Sequence, residues 1–201
     1  MPDGHGWTVS VGRLVAQASY LFAPLLTSTV VSGVVLRYNL MPTLARPIDG
    51  GTQLRSRRLF GDNKTWRGFV CALIGCSVAV AIQKYAIGDR AGSLAVVNYR
   101  TVNVLIFASV LAAGSTLGEL PNSFAKRQLG VSPGCGATGV LAPFFYVWDQ
   151  IDVLLVIWPL LLFWIRPNWA LVLVSVLLVF LVHQAVSVVG YLISARTSMF
   201  H

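Results

Sequence analysis

Five predominantly apolar stretches of this chain carry no charged residue: 14–36, 68–83, 101–118, 153–165 and 167–195. No other property limits the fold as severely. A helix rises about 1.5 Å per residue, so a hydrocarbon core of about 30 Å takes roughly 20 apolar residues to cross. The first, third and fifth stretches reach or approach that length unaided. The second reaches it by including Lys84, whose aliphatic stem can snorkel, and continuing to Ile87. The fourth suffices only if its helix begins near Pro143 and carries Asp149 and Asp152 in its early turns. The expectation is an all-α polytopic membrane protein. It has one integral-membrane domain over residues 1–201, with spans near 14–36, 68–87, 101–118, 143–165 and 168–194. The first stretch is too long for a signal-peptide core, and no small-residue cleavage pattern follows before Arg37, so it reads as a retained span.

Charge sets the orientation. Only 11% of the residues are charged, far below the ~25% of soluble domains, yet the formal net charge is +8. That excess is concentrated rather than spread as a nucleic-acid surface. Between the first two spans lie seven basic residues, Arg37, Arg46, Arg55, Arg57, Arg58, Lys64 and Arg67, against Asp49 and Asp62. The next connection has Arg90 and Arg100 against Asp89. The positive-inside rule puts the first loop in the cytoplasm. Five spans then leave the N-terminus outside and return residues 119–152 to the cytoplasmic side, in a cell inner or plasma membrane. Cations at Arg55, Arg57 and Arg58 also suit anionic lipid, at about 1 kcal/mol each.

Three of the seven acidic residues stand beside apolar spans, Glu119 at the end of the third and Asp149 and Asp152 at the start of the fourth. Ionisable groups in such places are costly and mark function by default. If the third helix runs on to about Leu129, then Glu119, Ser123, Lys126 and Arg127 share one broad face. Pro121 kinks that helix or begins a new one. Asp149 and Asp152, three residues apart, share a helical face. They suit magnesium, which takes one or two carboxylates and completes its shell with water and phosphate oxygens. The plainer alternative is a pair of acids solvated at a helix start. Gly130, Gly134, Gly136, Gly139, Pro133 and Pro143 exclude a regular helix over residues 130–143, which reads as a loop over the site. Of the three cysteines, Cys71 and Cys76 fall inside a span and pack, and none forms a metal or disulfide motif with Cys135. Acids for a metal and cations for phosphates, without a nucleophilic triad, fit a reaction in which one phosphate attacks another.

Three segments carry a resemblance: Asn63-Lys64-Thr65-Trp66-Arg67-Gly68, residues 118–130 with Pro133-Gly134, and Asp149-Gln150-Ile151-Asp152. In order and spacing the chain resembles the CDP-archaeol synthase family, relatives of the phosphatidate cytidylyltransferases. The likeness implies transfer of CMP from CTP to a phospholipid phosphate, with Mg²⁺ as cofactor, release of pyrophosphate and a CDP-activated lipid as product. It further implies Asp149, Asp152 and Lys126 as catalytic residues, with Asp149, Asp152 and Glu119 as metal ligands. Lys64, Arg67, Lys126 and Arg127 would contact phosphates, and Asn63, Thr65 and Ser123 would hydrogen-bond substrate. The implied partners are CTP, the lipid phosphate and membrane lipids, with no nucleic acid. Two positions depart from the archaeal pattern: Glu119 stands for Asp, and Asn122 for Lys. The lipid (ester, ether or prenyl) therefore stays open.

Two other classes fit the sequence less well. A CDP-alcohol phosphotransferase needs Asp-Gly-x-x-Ala-Arg, and Asp49-Gly50 does not continue that way. The other is a non-enzymatic membrane protein or a transporter; a transporter would carry ionisable groups at mid-membrane, where the fifth stretch offers only His183, beside Gln184, read as a buried histidine with a helix–helix hydrogen bond.

Overall fold

In a computed structural model of the protein, residues 10–192 are described. The chain forms five long helices: α1 (Val11–Arg37), α2 (Trp66–Ala81), α3 (Val104–Gln128), α4 (Ala142–Leu161) and α5 (Trp169–Leu192). Five helices are long and apolar enough to cross a membrane, the number expected, and residues 193–194 of the fifth expected span lie outside the described residues. A π-helical turn (Ile82–Ile87) and a 3-10 segment (Gly88–Leu94) prolong the second. Lys84 ends there by donating to the Val102 carbonyl at 2.7 Å. The third helix does not stop with its apolar run at Gly118 but continues through Pro121 to Gln128. The fourth starts at Ala142, with Pro143 in its first turn, where a missing N–H costs nothing.

Small residues and one proline decide how the helices meet. Pro24 lies inside α1 and cannot donate to the carbonyl of Tyr20. Gln83 Nε2 fills that vacancy at 2.5 Å, tying α1 to the end of the second span. A Cβ on Gly75 would lie 2.4 Å from Ser28 Cα, so glycine is what lets α2 lie against α1. Gly114 and Gly118 do the same between α3 and α4: their added Cβ atoms would stand 2.7 Å from Ile157 and 2.6 Å from the Asp152 carbonyl oxygen. With no hydrophobic force between helices in lipid, such close backbone packing supplies much of the association.

The apolar core occupies one end of the bundle, around Leu21, Phe107, Leu111, Leu154, Ile157 and Leu161. Edge-to-face pairs Phe22–Trp158 and Phe107–Trp164, with centroids 5.7 and 5.4 Å apart, join its layers. On α5, Ser175 accepts from Trp158 Nε1 at 3.0 Å, and His183 is half-buried and engaged in an interaction. The polar groups collect at the other end, where α1 and α3 finish and α2 and α4 begin.

Candidate active site at the polar end of the bundle

The first loop is folded by Asp49. Its side chain is fully buried and accepts from the amides of Gly51 (2.9 Å), Phe60 (3.1 Å) and Gly61 (3.4 Å) and from Arg58 Nη2 (2.9 Å). Burial raises the carboxyl pKa, but these donors outweigh it and hold the group below its ordinary value of 3.8. Arg58 also pairs with Asp62 at 2.7 Å. The knot supports a hairpin of β1 (Gln53–Leu54) and β2 (Arg57–Arg58), whose two-residue turn puts Arg55 and Ser56 at φ 52° and 62°. Left-handed conformation at both positions matches the twist of paired strands. From this hairpin Arg57 donates to the Gln128 carbonyl, capping the C-terminus of α3 where the helix dipole favours a cation. Of the three loop arginines, Arg57 and Arg58 hold the loop together, while Arg55 is exposed at the hairpin tip.

The loop then delivers residues 61–68. Ile48 and Trp66 donate to the carbonyls of Lys64 and Arg46 at 2.7 and 3.1 Å, which pins the segment down just before α2. Thr65 is the N-cap of α2, its hydroxyl accepting from the Gly68 amide at 3.2 Å. Arg67 donates to Asn39 Oδ1 at 3.1 Å. Asn63 is exposed and faces Gly134 of the glycine-rich loop. Lys64 crosses to α3 and forms an ion pair with Glu119.

Opposite stands α4. Asp149 accepts from Lys126 Nζ at 2.5 Å on both carboxylate oxygens. Asn122 Nδ2 donates to Asp149 Oδ1 at 2.6 Å and to Asp152 Oδ2 at 3.1 Å. One amide thus joins the two aspartates, and the close approach at Gly118 sets their height against α3. Asn122 and Asp152 are only 2% and 5% exposed. Lys126 Nζ also lies 5.7 Å from the ring centroid of Phe145, a cation–π contact. Asp152 lies within electrostatic range of both Glu119 and Lys64, so the two clusters belong to one charged region.

The predicted residues divide accordingly. Asp149, Asp152 and Lys126 come together directly, with Lys64 and Glu119 beside them. Arg127 is buried on another side of α3, its guanidinium packed under Gly61 and Pro133. Ser123 is half-buried, and no hydrogen bond joins it to the carboxylates among the described residues. Glu119 turns to Lys64 rather than to the aspartates, and among the described residues no three His, Cys, Asp or Glu side chains are grouped to hold a metal ion. Asp149 and Asp152 remain a paired set of hard oxygen donors, which is what magnesium binds. Sequence reasoning missed Asn122 as their link; its spacing three before Ala125 and four before Lys126 places it on the Lys126 face, a signal available but outweighed by its lack of charge.

Comparison with known proteins adds to this geometry. The family model CarS-like, CDP-archaeol synthase, matches residues 11–200. The chain is 37% identical over 140 residues to the CDP-archaeol synthase of Halorubrum lacusprofundi, covering 68% of this chain and 71% of that protein. It is 34% identical over 168 residues to that of Methanococcoides burtonii, covering 75% and 88%. With the Thermococcus kodakarensis protein the identity is 42% over 97 residues, 47% of this chain and about half (52%) of the relative's length. A solved structure of an intramembrane enzyme for archaeal membrane lipids biosynthesis aligns with a TM-score of 0.58 at 24% identity, covering 84% of this chain and 91% of that one, a likeness of fold.

Proposed function

Since this chain belongs to the CarS-like family of CDP-archaeol synthases, we propose that it transfers CMP from CTP to the phosphate of a membrane lipid and releases pyrophosphate. The observation that carries this reading is the pair Asp149 and Asp152, joined by Asn122 and bordered by Lys126, with Lys64 nearby.

In the reaction a lipid-phosphate oxygen attacks the α-phosphorus of CTP. The new P–O bond forms as the bond to the β-phosphate oxygen breaks, and the electron pair leaves with pyrophosphate. The nucleophile is already ionised at neutral pH, so the protein needs no general base; it must align the two phosphates and offset their charge. Asp149 and Asp152 fit Mg²⁺, being two carboxylates within reach of one amide. When bound, that ion supplies positive charge on the phosphate oxygens. Lys126 and Lys64 supply further cations at the edge of the pair, and Arg127 holds one under the glycine-rich loop. Asn63, exposed beside Gly134, and the half-buried Ser123 are the polar groups left to bind substrate. Arg67 and Thr65 are engaged with Asn39 and the α2 amide, and they join the binding set by shaping this edge. Val140, Leu141, Phe144 and Val147 are exposed in and just before the first turns of α4, the helix that carries both aspartates, and suit lipid chains.

The concentration of basic residues in the first loop supports a cytoplasmic location for this end, with the N-terminus outside and the protein integral to the cell membrane. Purified protein incubated with labelled CTP, Mg²⁺ and, in turn, phosphatidate, its ether analogue and a prenyl phosphate is expected to form a CDP-lipid with at least one. No turnover with any of the three would instead favour a non-enzymatic membrane protein.

A further inference from the structure

Asn122 uses only one side of its amide. Nδ2 donates to both aspartates, at 2.6 and 3.1 Å, while Oδ1 is buried and accepts no hydrogen bond among the described residues. The amide nitrogen and oxygen have nearly the same shape, and a half-turn about the last torsion exchanges donor for acceptor. We propose that Asn122 is a two-state positioning residue: Nδ2 clamps Asp149 and Asp152 in the metal-free protein, and the turned amide offers Oδ1 as a third, neutral oxygen ligand to a divalent cation.

Two carboxylates brought together on one face of α4 repel, and the clamp gives each a hydrogen-bond donor. A cation between them would meet the same NH₂ group, whose hydrogens carry positive charge. Asn122 cannot withdraw to water, since it is 2% exposed and enclosed where Gly118 lets α3 approach α4. Rotation is the move left to it. Turning forfeits the two bonds to the carboxylates, whose charge the cation then takes over, and sacrifices none made by Oδ1. Glu119 is held by Lys64, so it does not fill this role from its present position. Amide oxygens are suitable ligands for hard divalent ions. A neutral third ligand also leaves two carboxylates to balance a dication.

The proposal rests on Asp149 and Asp152 being the metal pair, and the experiment separates the two claims. Full-length protein in detergent, without CTP or lipid, is titrated with Mn²⁺ while free Mn²⁺ is followed by electron paramagnetic resonance. Wild type is expected to bind one ion, and Asn122→Ala to weaken binding about tenfold or more. Asn122→Asp keeps an oxygen in place and should bind at least as tightly as wild type. Without metal that variant adds a third carboxylate, so its melting temperature should fall and rise again with Mn²⁺, by more than the wild-type shift. A mere packing role would give no such rescue. Wild-type affinity in Asn122→Ala, or weaker binding in Asn122→Asp than in Asn122→Ala, would overturn the proposal. If Asp152→Asn binds Mn²⁺ as wild type does, the metal reading of the pair fails and the proposal with it. Should Asp152→Asn lose binding while Asn122→Ala keeps it, only the role of Asn122 fails.

Discussion

Single residues hold the site in its present form, and their removal should separate chemistry from folding. Lys126 neutralises Asp149 beside the ring of Phe145, so Lys126→Ala leaves a partly buried carboxylate unpaired. It should slow CMP transfer at least tenfold and raise the CTP concentration needed for half-maximal rate; unchanged steady-state kinetics would remove Lys126 from the site. Asp49 is a different case, because it acts on the loop alone. Its folded pKa is lowered, so its contribution to stability is full above the unfolded value of 3.8 and is lost as pH falls through the folded value. Asp49→Asn should cost about 1–3 kcal/mol near neutral pH, as a buried charged acceptor is lost to three amides and Arg58. Thermal melts should show the gap between variant and wild type closing as pH drops below about 4. A gap that widens with acid would contradict the assignment. The carboxylate pair and Lys126 were legible from their spacing beside short apolar runs. Asn122, Asp49 and Arg57 were not, because each acts on a partner distant in the chain, and neither periodicity nor charge reports which distant groups meet.

Helices show the same division. Five apolar runs set the number and approximate place of the spans, since the thickness of a bilayer leaves a chain of this composition few choices. What they could not give is the register between helices. The extension of α3 to Gln128 follows from Lys126 and Arg127 occupying its last turn, with Arg57 on its terminal carbonyl, rather than from hydropathy. Gly118 is where register becomes chemistry, for it lies against Asp152 itself. Gly118→Ala would place a Cβ 2.6 Å from a backbone oxygen, so α4 must move. A destabilisation of about 1–3 kcal/mol is expected, with loss of activity beyond what stability explains, because the aspartate backbone shifts against Asn122. Gly33→Ala, on α1 with nothing within 4 Å of the added atom, serves as the control and should leave melting temperature and turnover near wild type. Equal losses in the two variants would sink the argument from close approach.

For the whole molecule, segregation is the organising fact: an apolar, aromatic core fills one end of the bundle and nearly all the paired charge fills the other. On the proposed topology the basic first loop turns that charged end towards the cytoplasm, where CTP is found. Cys135 makes this testable, being exposed in the glycine-rich loop beside the site. A membrane-impermeant maleimide should label it in inverted membrane vesicles and spare it in intact cells, with Cys71 and Cys76, both buried, unlabelled in either. Labelling from outside the cell would reverse the topology.

The central claim is that Asp149 and Asp152 serve cytidylyl transfer to a lipid phosphate. The most direct measurement gives the purified protein CTP labelled at the α-phosphate or, separately, at the γ-phosphate, with Mg²⁺ and the lipid phosphate, alongside Asp152→Asn. The account predicts α-label in the lipid, equimolar with released pyrophosphate, γ-label only in pyrophosphate, and neither product from the variant with its fold intact. Label from the γ-phosphate in the lipid, or full α-transfer by Asp152→Asn, would contradict it.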